Sequence, residues 1–592
     1  MGDRRAGTPP VIRRLAPAIL TALLSTIPIL EAVASAPDVA AYVGDPNSEL
    51  PVKLWGFRWY AENAFFGGPV GVLAWPHPGA LNNPDLVATA WMYGIGGLVG
   101  ASTAYNTFLL AQLAAASVSA WWLSSVVTGD RWASVIAGVA YALTPCVLAY
   151  CVVGAVTDML SLWPWPLAIG LLIRAVRDRD VRAAVGSGVS VGVGFVTCPY
   201  NLITFVVLAP PAAVLLPALV GRAGVRGSVR IACAGLLGVL PFFAAYGLQM
   251  HSIMADPSSQ VSSAFVSSTR HAPPFPFLVP SHEAYYVARL RDYVAVGKAT
   301  LITRDAGSRY YRAFSPGIVV LILASCGVLL ATSRRQAVVW FSLAAFAVVA
   351  STGPFLGVTP SLYLTRPWNP AWNLMYWVIP GGKLLLEPFR YAIPGALALG
   401  VAAAFGLRVL VHRLGWMLAP VTSLLLVGEV AYLSPVPWPL PTATFTVPDV
   451  YARLDALLPP GPIIELPWFD HASERFDRAH FLQQLVHRRP IADGVTGFPP
   501  LWFADNAFMA LLLHTEKDRG VLRVAPQAIS AAERAERLAA ARGEIVSAGF
   551  VGIVLDPEAV GAQDRSVRLE KLLSEAYGVP LAMGERWVWR IR

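Results

Sequence analysis

The stretch from Asp38 to Asp85 reads DVAAYVGDPNSELPVKLWGFRWYAENAFFGGPVGVLAWPHPGALNNPD, and the rest of the chain is arranged around it. One apolar run precedes this stretch and many apolar runs follow it. It is too long and too polar to be a simple connection between two membrane helices. We therefore expect it to form ordered structure at the membrane surface.

The middle of this stretch predicts an amphipathic helix with carboxylates at its start. Asp45 is a good N-cap residue, and Pro46 suits the first helical position. Apolar residues then recur on one helical face, at Leu50, Leu54, Phe57 and Ala61. Trp55 and Trp59 add an aromatic stripe suited to a membrane interface. Asp45 and Glu49 either supply chemistry at this surface or only stabilise the helix start, by capping it and by facing its positive end.

The composition is that of a membrane protein with many spans. Of the 592 residues, 56% are hydrophobic and only 14% are charged, whereas soluble domains carry about 25% charged residues. The formal net charge is +9, but the arginines lie at the ends of apolar runs and form no basic domain, which argues against a nucleic-acid partner. The five cysteines fall within or beside apolar runs and are interpreted as small core residues.

Hydropathy predicts a polytopic α-helical protein with about 11 spans. They are 15–36, 104–127, 132–153, 159–173, 183–199, 202–220, 231–250, 316–333, 337–352, 391–411 and 416–433. The first run is too long for a cleaved signal peptide, so we expect it to be retained. Arginine-rich loops alternate with loops that lack Lys and Arg, near Asp158 and Tyr200. The N-terminus is therefore predicted to be cytoplasmic and the C-terminus to lie outside a cell (inner or plasma) membrane.

The long polar segments all fall on the outer side in this topology. Residues 1–433 form a predicted transmembrane domain with outer loops 37–103, 251–315 and 353–390. The last loop is rich in Pro and aromatic residues, which favours a re-entrant or interfacial segment. We expect the chemistry of the protein at this outer face.

The chain after the last span predicts a small soluble domain. A Pro-rich linker covers 434–444, and 445–592 is a predicted extracytoplasmic α/β domain of ordinary size. Its predicted strands are 462–466, 551–555 and 586–592, the last as an edge strand. Its predicted helices are 531–548 and 567–577.

The familiar motifs of soluble enzymes and metal sites are absent from the sequence, which has no Walker loop, no HExxH and no CxxC. The nine histidines are scattered without metal spacing. His77, in WPHPG, lies beside the acidic residues and either touches substrate or only forms a turn. Gly192–Cys198 (GVGFVTC) favours close helix packing. No cofactor is assigned, and a divalent metal stays open.

Carboxylates and cations remain near the predicted outer ends of the spans. Asp158 is costly there unless it faces a cavity, and the alternative is that it caps the following helix. Glu31 either packs between helices or lines the same cavity. In GGKLLLEPFRY, Lys383 and Arg390 could face an anionic group. The alternatives are a helical ion pair between Lys383 and Glu387, and a membrane-interface anchor at Arg390.

Such a set is compatible with sugar transfer from a lipid phosphate. A carboxylate can take the proton of an acceptor hydroxyl, and Arg or Lys can stabilise a departing phosphate. The apolar spans and Trp-rich loops can hold a polyprenyl chain.

Several segments resemble the GT-C superfamily of integral membrane glycosyltransferases, which includes protein O-mannosyltransferases, oligosaccharyltransferases and lipid-A aminoarabinose transferases. The segments that carry this resemblance are YVGDPNSELPVKLWGFRWYAEN (42–63), WPHPG (75–79), AYNTFLLAQLAAASVSAWWLSSVVTGDRWASVIAGVAYALTP (104–145), LLEPFRY (385–391) and IIELP (463–467). The resemblance implies inverting transfer of a sugar from a polyprenyl-phosphate donor. It matches Asp45 to the catalytic carboxylate. Glu49 is a weaker match, because a second acid directly beside Asp45 is missing.

The leading hypothesis is a membrane glycosyltransferase at the outer face, acting on an envelope glycan, a lipid or a protein. Asp45 is the predicted base, with Glu49 as the second catalytic candidate. Asp158 and His77 are assigned to the acceptor cavity, and Arg390 and Lys383 to the donor phosphate. The alternatives are a non-catalytic transporter or assembly factor for cell-envelope polysaccharide and a purely structural membrane protein. A transporter should show paired inverted repeats, and the sequence shows none.

Overall fold

A computed structural model of the chain describes residues 10–63, 72–73, 85–220, 228–254, 288, 290–293, 313–354, 356, 369–378, 387–467, 469–470, 475–476, 478–492, 531–558, 560, 563–583 and 586–591. The chain divides into two compact units. The membrane unit consists of Met1–Asp45, Asp85–Leu248 and Ala272–Thr444. The C-terminal unit consists of Pro46–Pro84, Gln249–His271 and Phe445–Arg592. The chain therefore leaves the membrane unit directly after Asp45 and returns to it at Asp85.

Helices dominate the described residues. In chain order they are α1 Pro10–Ser35, α2 Leu50–Asn63, α3 Leu86–Val99, α4 Ala101–Thr128, α5 Val135–Ala142, α6 Thr157–Leu160, α7 Pro164–Asp178, α8 Val181–Thr197, α9 Pro199–Val206, α10 Ala209–Val220, α11 Ser228–Met254, α12 Ile318–Leu330, α13 Arg334–Ser351, α14 Pro370–Val378, α15 Ala392–Leu414, α16 Leu418–Leu433, α17 Asp449–Ala452, α18 Leu454–Leu457, α19 Ala479–His487, α20 Ala531–Ser547 and α21 Gln563–Tyr577. A π-helical turn covers Val147–Val153, and 3₁₀ turns cover Leu290–Tyr293 and Pro388–Tyr391.

The strands are short. They are β1 Tyr42–Val43, β2 Thr442–Ala443, β3 Ile463–Leu466, β4 Phe469–Asp470, β5 Arg475–Phe476, β6 Gly552–Leu555, β7 Leu581–Met583 and β8 Arg586–Arg590. β1 pairs with β2, and β4 pairs with β5, both antiparallel. The remaining four form one sheet in the order β3-β6-β8-β7. Its β3–β6 pair is parallel, while β6–β8 and β7–β8 are antiparallel.

The membrane unit is a multi-pass bundle of apolar helices. Within the described ranges, five helices are long and apolar enough to cross a membrane: Leu15–Ser35, Ala101–Thr128, Thr157–Asp178, Arg230–Leu248 and Pro388–Leu414. The segments Val135–Ala142 and Val147–Val153, which meet at a bend of 51°, add a sixth if they form one broken span. Every predicted span contains a helix, but several are short or interrupted, so the number eleven stays a prediction. The helix α3 lies inside the predicted first outer loop, where the sequence predicted no span.

Glycine allows close helix contacts in this bundle. A Cβ atom on Gly188 of α8 would lie 2.0 Å from the carbonyl oxygen of Gly235 in α11, and one on Gly192 would lie 2.2 Å from the Phe242 ring. A Cβ on Gly406 of α15 would lie 1.9 Å from the carbonyl oxygen of Leu323 in α12. The close packing predicted for the Gly-rich span is therefore confirmed for α8 against α11.

The C-terminal unit has its four-stranded sheet between two apolar clusters. One face of the sheet packs on α20 and α21, through Ile464, Ile553, Leu555 and Trp589. The other face packs on a cluster that includes Val52, Trp55, Tyr60 and Leu73. Alternate residues of each strand serve the two faces, as expected for a sheet buried on both sides.

Several predictions for this part of the chain need correction. The helix α2 begins at Leu50 and not at Pro46, because residues 46–49 form a turn. Trp55 is fully buried, its indole N–H donates to Gln484 Oε1 at 2.7 Å, and so it does not lie at a membrane interface. The strand β8 is interior and not an edge strand, because β7 pairs along its other side. The predicted helices in this domain are present as α20 and α21.

Candidate active site

The candidate site begins at an unusual turn of the membrane unit. Residues Val147–Val153 form a π-helix, a rare conformation that occurs often at functional sites. Ala155 follows with φ of 53°, a left-handed conformation that costs a non-glycine residue free energy. This turn presents Tyr150 on one side and leads directly into α6, which carries Asp158.

Arg390 is the charged centre of the site. It lies in the 3₁₀ turn that begins the deeply buried helix α15 and is only 9% exposed. Its guanidinium forms an ion pair with Glu387 and donates to the Tyr150 hydroxyl. The same hydroxyl donates to Glu387 Oε2 at 3.0 Å, so the three side chains form a closed triad. Because Arg390 is buried and paired with Glu387, its interpretation as an interface anchor is wrong.

Two tyrosine rings enclose the arginine. The guanidinium carbon lies 5.4 Å from the centre of the Tyr150 ring and 5.1 Å from that of Tyr200. Cations stack favourably on aromatic faces in this way, and the more so when water is excluded. The Nε atom of Arg390 is buried and has no hydrogen-bond partner in the structure as described. A buried donor of this kind is where an incoming anion gains a strong hydrogen bond.

Asp158 lies in the same neighbourhood. It is half-buried in the first turn of α6, and its Oδ2 atom lies 3.8 Å from the Cys198 sulfur. Its charge, together with those of Arg390 and Glu387, acts on the Tyr200 phenol. Asp158 lies inside α6, whose N-cap residue is Val156, and the N-cap residue of α7 is Trp163, so Asp158 occupies the N-cap position of neither helix. Asp158 and Arg390 therefore both lie near Tyr200, and the assignment of Asp158 to the acceptor cavity stays a prediction.

Asp45 is held at the π-helical turn by its backbone. Its N–H donates to the carbonyl oxygen of Val153 at 2.9 Å, and the N–H of Gly44 donates to Pro441 at 2.8 Å. Asn106 of α4 fixes the preceding strand, because its amide oxygen accepts from Val43 N–H at 3.0 Å. Asp45 is half-buried and lies five residues before α2, so it does not cap that helix. Burial raises the pKa of the neighbouring Tyr42 phenol, which keeps that group neutral.

Glu49 has a different role from Asp45. It belongs to the C-terminal unit, where its carboxylate forms an ion pair with Arg478, just before α19. Its carbonyl oxygen accepts from Lys53 N–H at 3.0 Å as α2 begins. The geometry therefore gives Glu49 a structural partner, and its catalytic assignment stays a prediction without further support.

Three residues of the sequence analysis remain, namely His77, Lys383 and Glu31. His77 and Lys383 lie outside the described residues, and their assignments stay predictions. Glu31 is half-buried on α1. For the parts of the chain that can be described, no three or more His, Cys, Asp or Glu side chains are grouped so as to hold a metal ion.

Sequence reasoning missed Tyr150 and Tyr200 and assigned Glu387 a different partner. Tyr150 lies in an apolar run, so nothing local distinguishes it from a core aromatic residue. In the sequence analysis, Tyr200 was mentioned only as the position of a loop that lacks Lys and Arg. Glu387 pairs with Arg390, three residues after it. The alternative ion pair with Lys383 involves a residue outside the described ones and stays a prediction.

Comparisons with known proteins find similarity to solved structures only. No protein-family model matches the chain, and no curated protein matches it. Among the solved structures to which the chain is similar are several of an oligosaccharyltransferase from the archaeon Archaeoglobus fulgidus. One, AglB in complex with an inhibitory peptide and a dolichol-phosphate, is 12% identical over 96% of this chain and 72% of its own, with a TM-score of 0.45.

Two further structures of the Archaeoglobus fulgidus enzyme show the same degree of similarity. One is tethered to an acceptor peptide containing the NVT sequon and is 11% identical over 94% of this chain and 72% of its own, with a TM-score of 0.45. The other, a complex with Zn and sulfate, is 14% identical over 95% and 70%, with a TM-score of 0.43. Oligosaccharyltransferases are among the enzymes that the sequence resemblance names.

Proposed function

We propose that this chain is a membrane glycosyltransferase that moves a sugar from a polyprenyl-phosphate-linked donor to a glycan, lipid or protein acceptor. One observation carries the proposal. Arg390 is buried beside the rings of Tyr150 and Tyr200, and its Nε donor has no hydrogen-bond partner among the described residues. The π-helical turn that carries Tyr150 also holds the backbone of Asp45, through the carbonyl oxygen of Val153. This arrangement combines an anion-binding group with a carboxylate in one apolar, largely helical unit.

The reaction follows from these two groups. The acceptor hydroxyl attacks the anomeric carbon of the donor sugar, and its proton passes to the Asp45 carboxylate. The bond between that carbon and the phosphate oxygen breaks, and the polyprenyl phosphate leaves with the bonding electrons. Arg390 stabilises the charge that develops on the phosphate, in surroundings where such an interaction is strong. Direct attack from the face opposite the phosphate inverts the anomeric configuration. The outer membrane face is part of this proposal, since the arginine-rich loops set the orientation.

Asp45 provides the sharpest test. Asp45→Asn keeps the size of the side chain but cannot accept the proton, and loss of a general base typically lowers the rate about 10²–10⁴-fold. The matched control is Asp38→Asn, in the same segment, where an exposed carboxylate only accepts from Ala40 N–H at 2.8 Å. Sugar transfer from a polyprenyl-phosphate donor is measured with purified proteins of equal thermal stability. Unchanged transfer in Asp45→Asn rules out this base, and absence of transfer in the wild type favours the transporter or assembly alternative.

A further inference from the structure

The arginine proposed to bind the donor phosphate already has an anionic partner. Glu387 occupies Arg390, and the Tyr150 hydroxyl connects the two by accepting from one and donating to the other. The side chain of Arg390 is 11% exposed, while that of Glu387 is 22% exposed. An incoming phosphate therefore meets an arginine whose charge is already balanced by Glu387. The carboxylate is the more accessible side chain of this pair.

The carboxylate satisfies the arginine only in part. Arg390 Nε remains without a hydrogen-bond partner among the described residues, although guanidinium groups bind carboxylate and phosphate best through two parallel N–H donors. A phosphate oxygen pair can accept from Nε and from Nη2 together. Phosphate is therefore a better ligand for this arginine than the carboxylate that now occupies it.

Glu387 can leave without unfolding the start of the span. It precedes the 3₁₀ turn Pro388–Tyr391, and its side chain caps none of the N–H groups of that turn. The turn is held instead by its backbone, with Arg390 N–H donating to the Glu387 carbonyl oxygen at 3.1 Å. A rotation of the Glu387 side chain would thus release the guanidinium while the backbone of Arg390 stays in place.

We propose that Glu387 is an internal substitute for the donor phosphate. The incoming donor phosphate must displace the Glu387 carboxylate to reach Arg390. When the lipid phosphate product leaves, Glu387 returns to Arg390. This inference rests on the proposed function, because it takes Arg390 as the phosphate-binding residue. Tyr150 has a single hydroxyl proton, so it donates either to Glu387 or to the phosphate. When the phosphate replaces Glu387 as the partner of Arg390, it also replaces Glu387 as the acceptor of the Tyr150 hydroxyl proton.

Binding of farnesyl phosphate, a short prenyl phosphate without sugar, tests this exchange. Its dissociation constant is measured by calorimetry on the purified full-length protein. Glu387→Gln removes the competing charge and should tighten binding about 10-fold or more, as expected from loss of a competing charge-assisted hydrogen bond. Glu387→Asp, which retracts the carboxylate by one methylene group, should give a smaller gain. Arg390→Gln should abolish binding, with or without Glu387→Gln.

The matched control is Asp178→Asn, which removes a carboxylate from another arginine pair, 3.0 Å from Arg177. It changes the net charge equally and should leave binding unchanged. If Glu387→Gln and Glu387→Asp are as stable as the wild type and bind more weakly or equally, Glu387 positions Arg390 and does not compete with phosphate. If Arg390→Gln abolishes binding in that case, the proposed function survives alone. If the wild type and all variants fail to bind, both proposals fall.

Discussion

At the scale of single residues, this chain places several ionisable side chains in buried or largely buried positions. In the membrane unit, Arg390 and Glu387 compensate each other. In the C-terminal unit, Glu465 of β3 is fully buried and faces His487 of α19, with 3.4 Å between Oε1 and Nε2. His487 Nδ1 accepts from Arg489 N–H at 3.0 Å, which leaves Nε2 to carry the proton toward the carboxylate. Neither Glu465 oxygen has a hydrogen-bond partner in the described part of this unit, so its recorded polar contact there is this ion-pair distance to His487.

We expect His487→Leu to destabilise the protein strongly. The substitution leaves the Glu465 carboxylate buried without its partner, and breaking a buried pair in this way costs about 3–5 kcal/mol. The double variant Glu465→Gln/His487→Leu removes the charge as well, so it should recover a large part of that loss. Calorimetric unfolding of the full chain measures both. Equal destabilisation by the single and double variants would show that the lost histidine packing, and not the unpaired charge, sets the cost.

At the scale of elements, the membrane unit depends on close approach of helices that the sequence marks only by small residues. The helices α12 and α15 meet where Gly327 and Gly406 face each other's backbone. A Cβ atom at either position would lie within 2.6 Å of a carbonyl oxygen of the other helix. Because the nearest atom at each position is a backbone carbonyl oxygen, a movement of side chains alone makes no room for the added methyl group.

We therefore predict that Gly406→Ala separates α12 from α15, at a cost of about 1–3 kcal/mol as for other overpacked sites. Gly428→Ala in α16 is the matched control, since a Cβ there meets nothing within 4 Å. In that helix alanine should be neutral or stabilise by up to about 1 kcal/mol. Thermal unfolding of the detergent-solubilised variants gives the comparison. Equal melting temperatures for Gly406→Ala and the wild type would contradict the close contact.

The helix α2 packs on residues that lie far away from it in the sequence. Trp55 packs on Phe481 of α19, with ring centres 5.8 Å apart, and donates to Gln484. Val72 accepts a backbone hydrogen bond from Ile491 at 2.9 Å. The four-stranded sheet of this unit comes from the last 130 residues or so, counted from β3 to the C-terminus. The first predicted outer loop, far earlier in the sequence, thus completes the core of that unit.

This contact changes the expectation for the isolated C-terminal domain. The sequence predicts that 445–592 folds alone, whereas the structure gives it a core that includes Val52, Trp55, Tyr60 and Leu73. We now expect a fragment of 445–592 to unfold without cooperativity and a fusion of 46–84 to that fragment to unfold cooperatively. In the fusion, Trp55→Ala should cost about 3–5 kcal/mol. Urea unfolding followed by circular dichroism tests this, and a cooperative transition in 445–592 alone would contradict it.

At the scale of the whole molecule, the membrane orientation is the prediction on which the site's position depends. The arginine-rich loops predict that Arg177 lies on the cytoplasmic side and the C-terminal unit outside. Val579, 92% exposed, and Arg177, about half exposed, are accessible reporters on the two predicted sides. In a Cys233→Ala background, Val579→Cys should react with an impermeant maleimide on intact cells, while Arg177→Cys should react only after permeabilisation. The opposite pattern would invert the topology and move the proposed chemistry to the cytoplasmic face.

The sequence by itself determined the features that depend on composition and local period. Apolar runs predicted a multi-pass helical protein, and the strands and helices of the C-terminal domain followed from alternation and amphipathic spacing. The motif containing Arg390, the acidic residue Asp45 and the close packing at Gly192 were also visible there. Each of these signals is local, because hydropathy and periodicity act over one element at a time.

Only the tertiary structure decided which residues meet. Trp55, which was predicted to lie at a membrane surface, lies in the core of the C-terminal unit. Asp45, which was a candidate cap of α2, lies five residues before the start of that helix. It also joined Tyr150 to Glu387 and Arg390, across more than two hundred positions of sequence. The physical reason is that a buried polar side chain must find its hydrogen-bond partner wherever the fold supplies one, and a single sequence does not record that partner.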